Sequence, residues 1–157
     1  MSAFEAKVLT VSDGVAHGAR EDLSGPALVA ALEVAGATVV EMRICSDGAA
    51  VVSAVLAEMS KDFAGVVVST GGTGFAPRDE TPEGTRLVIE REAPGLAEAM
   101  RAISPLGRLS RGIAGIVGGC IIVNTPGSPK GCVEQLNAVI DVLPHAVALL
   151  NQSPTEH

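Results

Sequence analysis

Residues 66–83, VVVSTGGTGFAPRDETPE, carry the densest set of groups in this chain that could do chemistry. A short apolar run gives way to Thr70, Gly71, Gly72, Thr73 and Gly74, where missing side chains let backbone N–H groups approach a ligand and allow positive φ. Such a loop suits phosphate. Arg78 and Asp79 follow, and then Thr81, Pro82 and Glu83, which read as a helix N-cap, a first helical position and a first-turn acid. Donors, a cation and carboxylates therefore fall within one connection. The phosphate-loop pattern GxxxxGKS/T is absent and so is GxGxxG, and TGGTG alone has a second reading as a strand-to-helix turn without a ligand. Its charged neighbours favour the ligand.

These groups need elements to hold them. Val66, Val67 and Val68 are β-branched without alternation, the pattern of a strand buried on both faces of a mostly parallel sheet. Residues 7–11 predict a first strand, with Ser12, Asp13 and Gly14 at its carboxyl end, where open α/β sheets gather ligands. Gly25 and Pro26 open an apolar helix closed by Gly36, and residues 38–44 read as a second strand. Asp47 then precedes a further helix, as its N-cap or as a functional carboxylate.

Beyond the glycine-rich loop, helical sequence runs from Pro82 towards Ile103 with a break at Pro94 and Gly95. Residues 113–117 and 120–123 flank Gly118 and Gly119, a hairpin signal that puts one antiparallel strand into the sheet. Asn124, Thr125, Pro126, Gly127, Ser128, Pro129 and Lys130 form another strand-end loop, with Ser128 as N-cap and Pro129 as first helical residue. A long final helix is kinked or restarted at Pro144, and a polar tail begins at Gln152. Alternating strands and helices predict an α/β fold, a three-layer α/β/α sandwich with a mostly parallel mixed sheet and one antiparallel strand. Three glycine-bearing loops then converge on one sheet edge.

Composition bounds the function. The 157 residues fit one domain, residues 1–157, and 47% hydrophobic with 18% charged residues describe a globular chain. The formal charge of −7 and the lack of basic clusters argue against nucleic acid as a partner. No apolar run approaches the roughly 20 residues of a membrane span, which leads to the expectation of a cytoplasmic protein with no membrane partner. Cys45, Cys120 and Cys132 lack metal or disulfide spacing and are expected as buried small apolar residues. With Phe4, Phe63 and Phe75 as the entire aromatic content, a planar ligand must rest on backbone and aliphatic walls.

The segments SDG at 12–14, SGP at 24–26, TGGTG at 70–74, PRDETPE at 77–83, PGLAEAMR at 94–101, LSR at 109–111 and NTPGSPK at 124–130 resemble, in order, the Mog/MoaB family of molybdenum-cofactor biosynthesis. The resemblance covers almost the whole chain. It implies a homotrimer and a molybdopterin adenylyltransferase, in which ATP and molybdopterin give adenylyl-molybdopterin and pyrophosphate with magnesium. It also implies a downstream molybdate-inserting enzyme as partner. The family's two important aspartates fall on Asp47 and Asp79; because the attacking phosphate monoester is already ionised at neutral pH and needs no general base, these two catalytic residues are expected to hold magnesium. Its substrate pocket falls on Ser12, Asp13, residues 70–74, Pro126, Gly127 and Ser128; Arg78 and Lys130 read either as added positive charge for the phosphates or as solvated surface residues. A binding or scaffold module of the same fold, without turnover, is the alternative.

Overall fold

The computed structural model describes residues 3–152. Among these, a six-stranded sheet is built from β1 (Phe4–Val11), β2 (Ala37–Cys45), β3 (Gly65–Thr70), β4 (Arg91–Glu92), β5 (Ala114–Val117) and β6 (Cys120–Thr125), in the order β2-β1-β3-β6-β5-β4. β2, β1, β3 and β6 pair in parallel, whereas β5 is antiparallel to both of its neighbours. β5 is thus the one reversed strand, as the Gly118-Gly119 hairpin predicted.

Strand alternation divides the apolar side chains between two cores. Val8, Val66, Val68, Ile121 and Val123 pack with Leu28 and Leu32 of α2 (Ser24–Val34), Leu136 of α6 (Pro129–Asn137) and Leu143 of α7 (Leu143–Leu150). On the other face Leu9, Val67 and Ile122 pack with Val52, Leu56 and Met59 of α3 (Ala49–Ser60). The central strand β3 is buried at every residue, which explains why its sequence does not alternate. Each buried Val or Leu contributes about 1.5–3 kcal/mol, so this double-sided burial fixes the register of β1, β3 and β6 firmly. Helices on both faces make the three-layer sandwich.

Local departures from the sequence reading have clear causes. The polar segment after β1 contains a four-residue helix, α1 (Asp13–Ala16), capped by the Ser12 side chain. The helical stretch from Pro82 towards Ile103 breaks at Pro94 as expected, giving α4 (Thr81–Arg86) and α5 (Pro94–Arg101), but the edge strand β4 lies unforeseen between them. Backbone pairing of β4 with β5 overrides the helical composition of that stretch. The final helix ends at Asn137 and restarts as α7 with Pro144 in its first turn. Gln152 lies within the described chain, and the rest of the expected tail lies outside it.

The strand order reverses between β1 and β3: from β1 the chain moves out to β2 on one side and returns to β3 on the other. Loops leaving the carboxyl ends of two such strands diverge and leave a crevice between them.

Candidate functional site

That crevice carries the glycine-rich loop. A cleft of ≈ 510 Å³ is lined by Thr10, Ser12, Asp22, Asp47, Thr70, Gly71, Gly72, Asp79, Gly127 and Ser128 among others. A second cleft of ≈ 460 Å³, lined by Thr73, Gly74, Ser104, Leu106, Leu109, Pro126 and Gln135, shares Gly72, Asp79, Gly127 and Ser128 with the first. Two concavities therefore meet at a glycine turn and one aspartate. A larger hollow of ≈ 860 Å³ lies at the opposite end of the sheet, beside Phe63, Ala64, Gly118 and Gly119. None of the residues singled out in the sequence for chemistry lines it, so size does not mark the chemistry here.

The glycine turn has its shape for two reasons. Gly71 and Gly72 have φ of 100° and 69°, and a Cβ on Gly71 would lie 2.1 Å from the Val11 carbonyl oxygen. Only glycine fits that approach. Beneath the turn, the buried Thr81 donates its hydroxyl to the Gly71 carbonyl at 2.9 Å, and its backbone N–H donates to Gly72 O at 3.0 Å. Thr81 was expected as an N-cap; it is instead the first residue of α4, with Glu80 at the cap position. The chain continues downward through Thr85 Oγ1, which donates to Thr81 O and accepts from Asn124 Nδ2, while Asn124 also donates to Ser69 Oγ. This hydroxyl and amide network fastens the loop to β3 and β6.

The carbonyls of Gly71, Gly72, Thr73 and Gly74 all accept bonds from the protein, whereas the N–H groups of Gly72, Thr73, Gly74 and Phe75 donate to no acceptor among the described residues. Successive unbonded donors in a turn of this kind form an anion cradle. Ser128 adds to it: its side chain accepts from Gly131 N at the start of α6, as its N-cap reading predicted, and the helix N-terminus faces the shared wall.

Asp47 and Asp79, about thirty residues apart in sequence, line the same cleft. Asp47 does not cap α3, contrary to one reading of the sequence; Gly48 holds that position, and no side chain caps it. Asp47 Oδ2 instead accepts from Asp13 N at 2.9 Å, while Asp47 N donates to Asp13 Oδ1 at 3.1 Å. This reciprocal clasp joins the loops after β1 and β2. Burial first, and then the neighbouring charges of Asp13 and Asp79, push the Asp47 carboxyl above the usual aspartate range, against the pull of the Asp13 N–H and Arg78. Asp79 Oδ2 accepts from Ala76 N at 3.0 Å. Each carboxylate thus spends one oxygen within the protein and keeps the other without a hydrogen bond among the described residues.

That arrangement suits a magnesium ion, which takes one or two carboxylates and completes its shell with phosphate oxygens and water. No group of three acidic, histidine or cysteine side chains that could cage a metal occurs among the described residues.

Of the residues expected to touch substrate, Ser12, residues 70–74, Pro126, Gly127 and Ser128 line the two clefts. Asp13, Arg78 and Lys130 do not, and their side chains are engaged elsewhere. Arg78 donates from Nε and Nη2 to the two oxygens of Asp13 and from Nη2 to Asp47 O. Its guanidinium holds the Asp13 carboxyl below the usual range. Lys130 is 88% exposed and faces Glu134 one turn along α6. The sequence reading passed over Asp22, which lines the first cleft, accepts from Thr10 Oγ1 at 3.0 Å and receives Gly25 N at the start of α2. Its place three residues before Gly25 was the available signal.

Comparison with known proteins agrees with this geometry. Residues 7–145 match the family described as probable molybdopterin binding domain. A molybdopterin adenylyltransferase from Helicobacter pylori is 38% identical over 96% of this chain and 89% of its own. The molybdenum cofactor synthesis protein cinnamon from Drosophila melanogaster is 37% identical over 96% of this chain, which spans about a quarter (26%) of that protein's length. The crystal structure of the molybdopterin biosynthesis enzyme MoaB from Thermus thermophilus superposes with a TM-score of 0.90, at 40% identity, covering 98% of this chain and 99% of that one. Loop chemistry, sheet topology and sequence thus agree that the chain belongs to the Mog/MoaB family of molybdopterin-binding domain proteins.

Proposed function

We propose that this protein is a molybdopterin adenylyltransferase of molybdenum-cofactor biosynthesis, moving AMP from ATP to the terminal phosphate of molybdopterin. The observation that carries this reading is the meeting of two clefts at Gly72, Asp79, Gly127 and Ser128, beside an unbonded row of backbone donors. Two substrates approach from two sides, and the phosphate to be transferred lies where the clefts join.

In the reaction an oxygen of the molybdopterin phosphate forms a bond to the α-phosphorus of ATP, and the bond from that phosphorus to the bridging oxygen of pyrophosphate breaks. The attacking phosphate monoester has a second pKa near 6, so it is already ionised at neutral pH and needs no general base. Asp47 and Asp79 are therefore assigned to holding magnesium, which neutralises phosphate charge and polarises the phosphoryl oxygens. The N–H groups of residues 72–75 and the N-terminus of α6 bind phosphate oxygens and keep their positions as charge moves to the leaving group. Arg78 acts from outside the cleft, fixing Asp13 and through it Asp47. These local donors offset the unfavourable field of a chain with formal charge −7.

The relatives named above support the enzymatic reading over a binding module. The reaction is assigned to the cytoplasm; among the described residues no helix is long and apolar enough to cross a membrane. The homotrimer is supported by apolar surface on the edge strand β2, where Val40, Met42 and Ile44 are 46%, 49% and 50% exposed. The adenylylated product would pass to a molybdate-inserting enzyme.

The test is pyrophosphate release from ATP and molybdopterin by the purified protein, with and without magnesium, alongside Asp79→Asn. Asparagine at 79 still accepts from Ala76 N, so the loop keeps its shape while the charge is lost. Turnover is expected to fall on the order of 100-fold or more. Binding of both substrates by the wild type with no pyrophosphate release would favour the scaffold module, and full activity of Asp79→Asn would remove the metal-holding role.

A further inference from the structure

Arg111, the last residue of the LSR segment, lines neither cleft, yet it bonds the candidate site at three points. Its backbone N–H donates to Thr73 O at 2.8 Å. Its Nε donates to Gly74 O at 2.8 Å and its Nη2 to Asp79 O at 2.6 Å. The fork is fixed from behind by Glu83 of α4, which accepts from Nη1 at 2.7 Å and from Nη2 at 3.3 Å. One guanidinium thus ties the start of the 74–79 segment to its end.

In a trans peptide the C=O and the following N–H point in opposite directions. Holding the carbonyls of Thr73 and Gly74 onto Arg111 therefore turns the N–H groups of Gly74 and Phe75 away from it, and those are among the donors with no protein acceptor. The same side chain anchors the main chain of Asp79, whose carboxylate packs so closely over Gly74 that a Cβ there would lie 2.9 Å from Oδ2. Anion cradle and metal carboxylate are set by one residue. Only arginine can make this set of bonds, because its planar fork reaches two carbonyls and a carboxylate in fixed directions, whereas lysine offers donors from a single point.

We infer that Arg111, oriented by Glu83, is a positioning residue that holds the 73–79 loop in its phosphate-binding shape and aims Asp79 into the shared cleft. This deepens the adenylyltransferase reading and rests on it for its catalytic consequence, but its structural part stands alone. The experiment compares wild type, Arg111→Lys and Glu83→Gln by hydrogen–deuterium exchange of residues 72–80 and by calorimetric binding of magnesium-ATP and of inorganic pyrophosphate. Steady-state kinetics follow on the same proteins.

Arg111→Lys is expected to keep a cooperative thermal transition, to exchange the two hydrogen-bonded amides of the 72–80 stretch, Ala76 and Asp79, at least about tenfold faster, and to bind both probes about tenfold more weakly. KM for ATP and the magnesium concentration for half-maximal rate rise together, while KM for molybdopterin changes less than twofold. Glu83→Gln gives the same pattern more weakly. Unchanged loop exchange in Arg111→Lys would overturn the proposal, as would unchanged probe affinity in a wild type that binds. If the wild type binds neither probe, the functional reading fails, and the exchange comparison alone decides whether Arg111 holds the loop.

Discussion

Replacing Asp47 by asparagine separates charge from hydrogen bonding at the centre of this site. The amide oxygen of asparagine can take the bond that Asp47 Oδ2 now accepts from Asp13 N at 2.9 Å, and the Asp47 N–H continues to reach Asp13 Oδ1. What disappears is a partly buried charge whose carboxyl is held above its ordinary value of 3.8, first by burial and then by the charges of Asp13 and Asp79. A folded-state pKa above the unfolded one means that the ionised group costs stability at neutral pH, and that this cost is relieved as pH falls through the folded value. At an open cleft solvent screens much of the effect, so the cost is small. Asp47→Asn is therefore expected to melt slightly above wild type at neutral pH, with the gap closing as pH approaches 3.8. Over the same change, magnesium-dependent pyrophosphate release should fall about 100-fold or more. Thermal melts followed by circular dichroism across the pH range, with a coupled pyrophosphate assay, make both measurements. A variant that melts well below wild type and keeps its turnover would show that Asp47 serves the fold and not the reaction, refuting both its charge cost and its metal-holding role.

Two neighbouring glycines should part company. Gly71→Ala puts a Cβ against the immovable Val11 carbonyl at a positive φ and is expected to destabilise by about 3 kcal/mol in denaturant titrations; Gly74→Ala meets only the Asp79 carboxylate and should fold normally yet lose most turnover by displacing it. Burial raises the thiols of Cys45 and Cys132 to about 11 and of Cys120 to about 12, so Ellman's reagent should label the native protein far more slowly than the denatured one.

The sequence alone determined the layers and the loops. Unbroken valines at 66–68 announced a strand buried on both faces, the two glycines at 118 and 119 announced the reversed strand, and Ser128 with Pro129 announced the start of α6. These features are local: they depend on periodicity, turn geometry and capping within a few residues. Asp47 and Asp79 came from the family resemblance, and their meeting in one cleft from the strand order. Only the tertiary structure decided which charged residues serve the ligand and which serve the protein. Arg78 and Asp13 lie in motifs that read as substrate contacts, yet they pair with each other across sixty-five positions. Arg111 and Asn124 drew no notice as single residues and hold the glycine turn from below. A charge or a hydroxyl in a sequence states what bonds it can make. Which bond it makes depends on what the folded chain brings within 3 Å, and that is a property of the sheet order rather than of any stretch of residues.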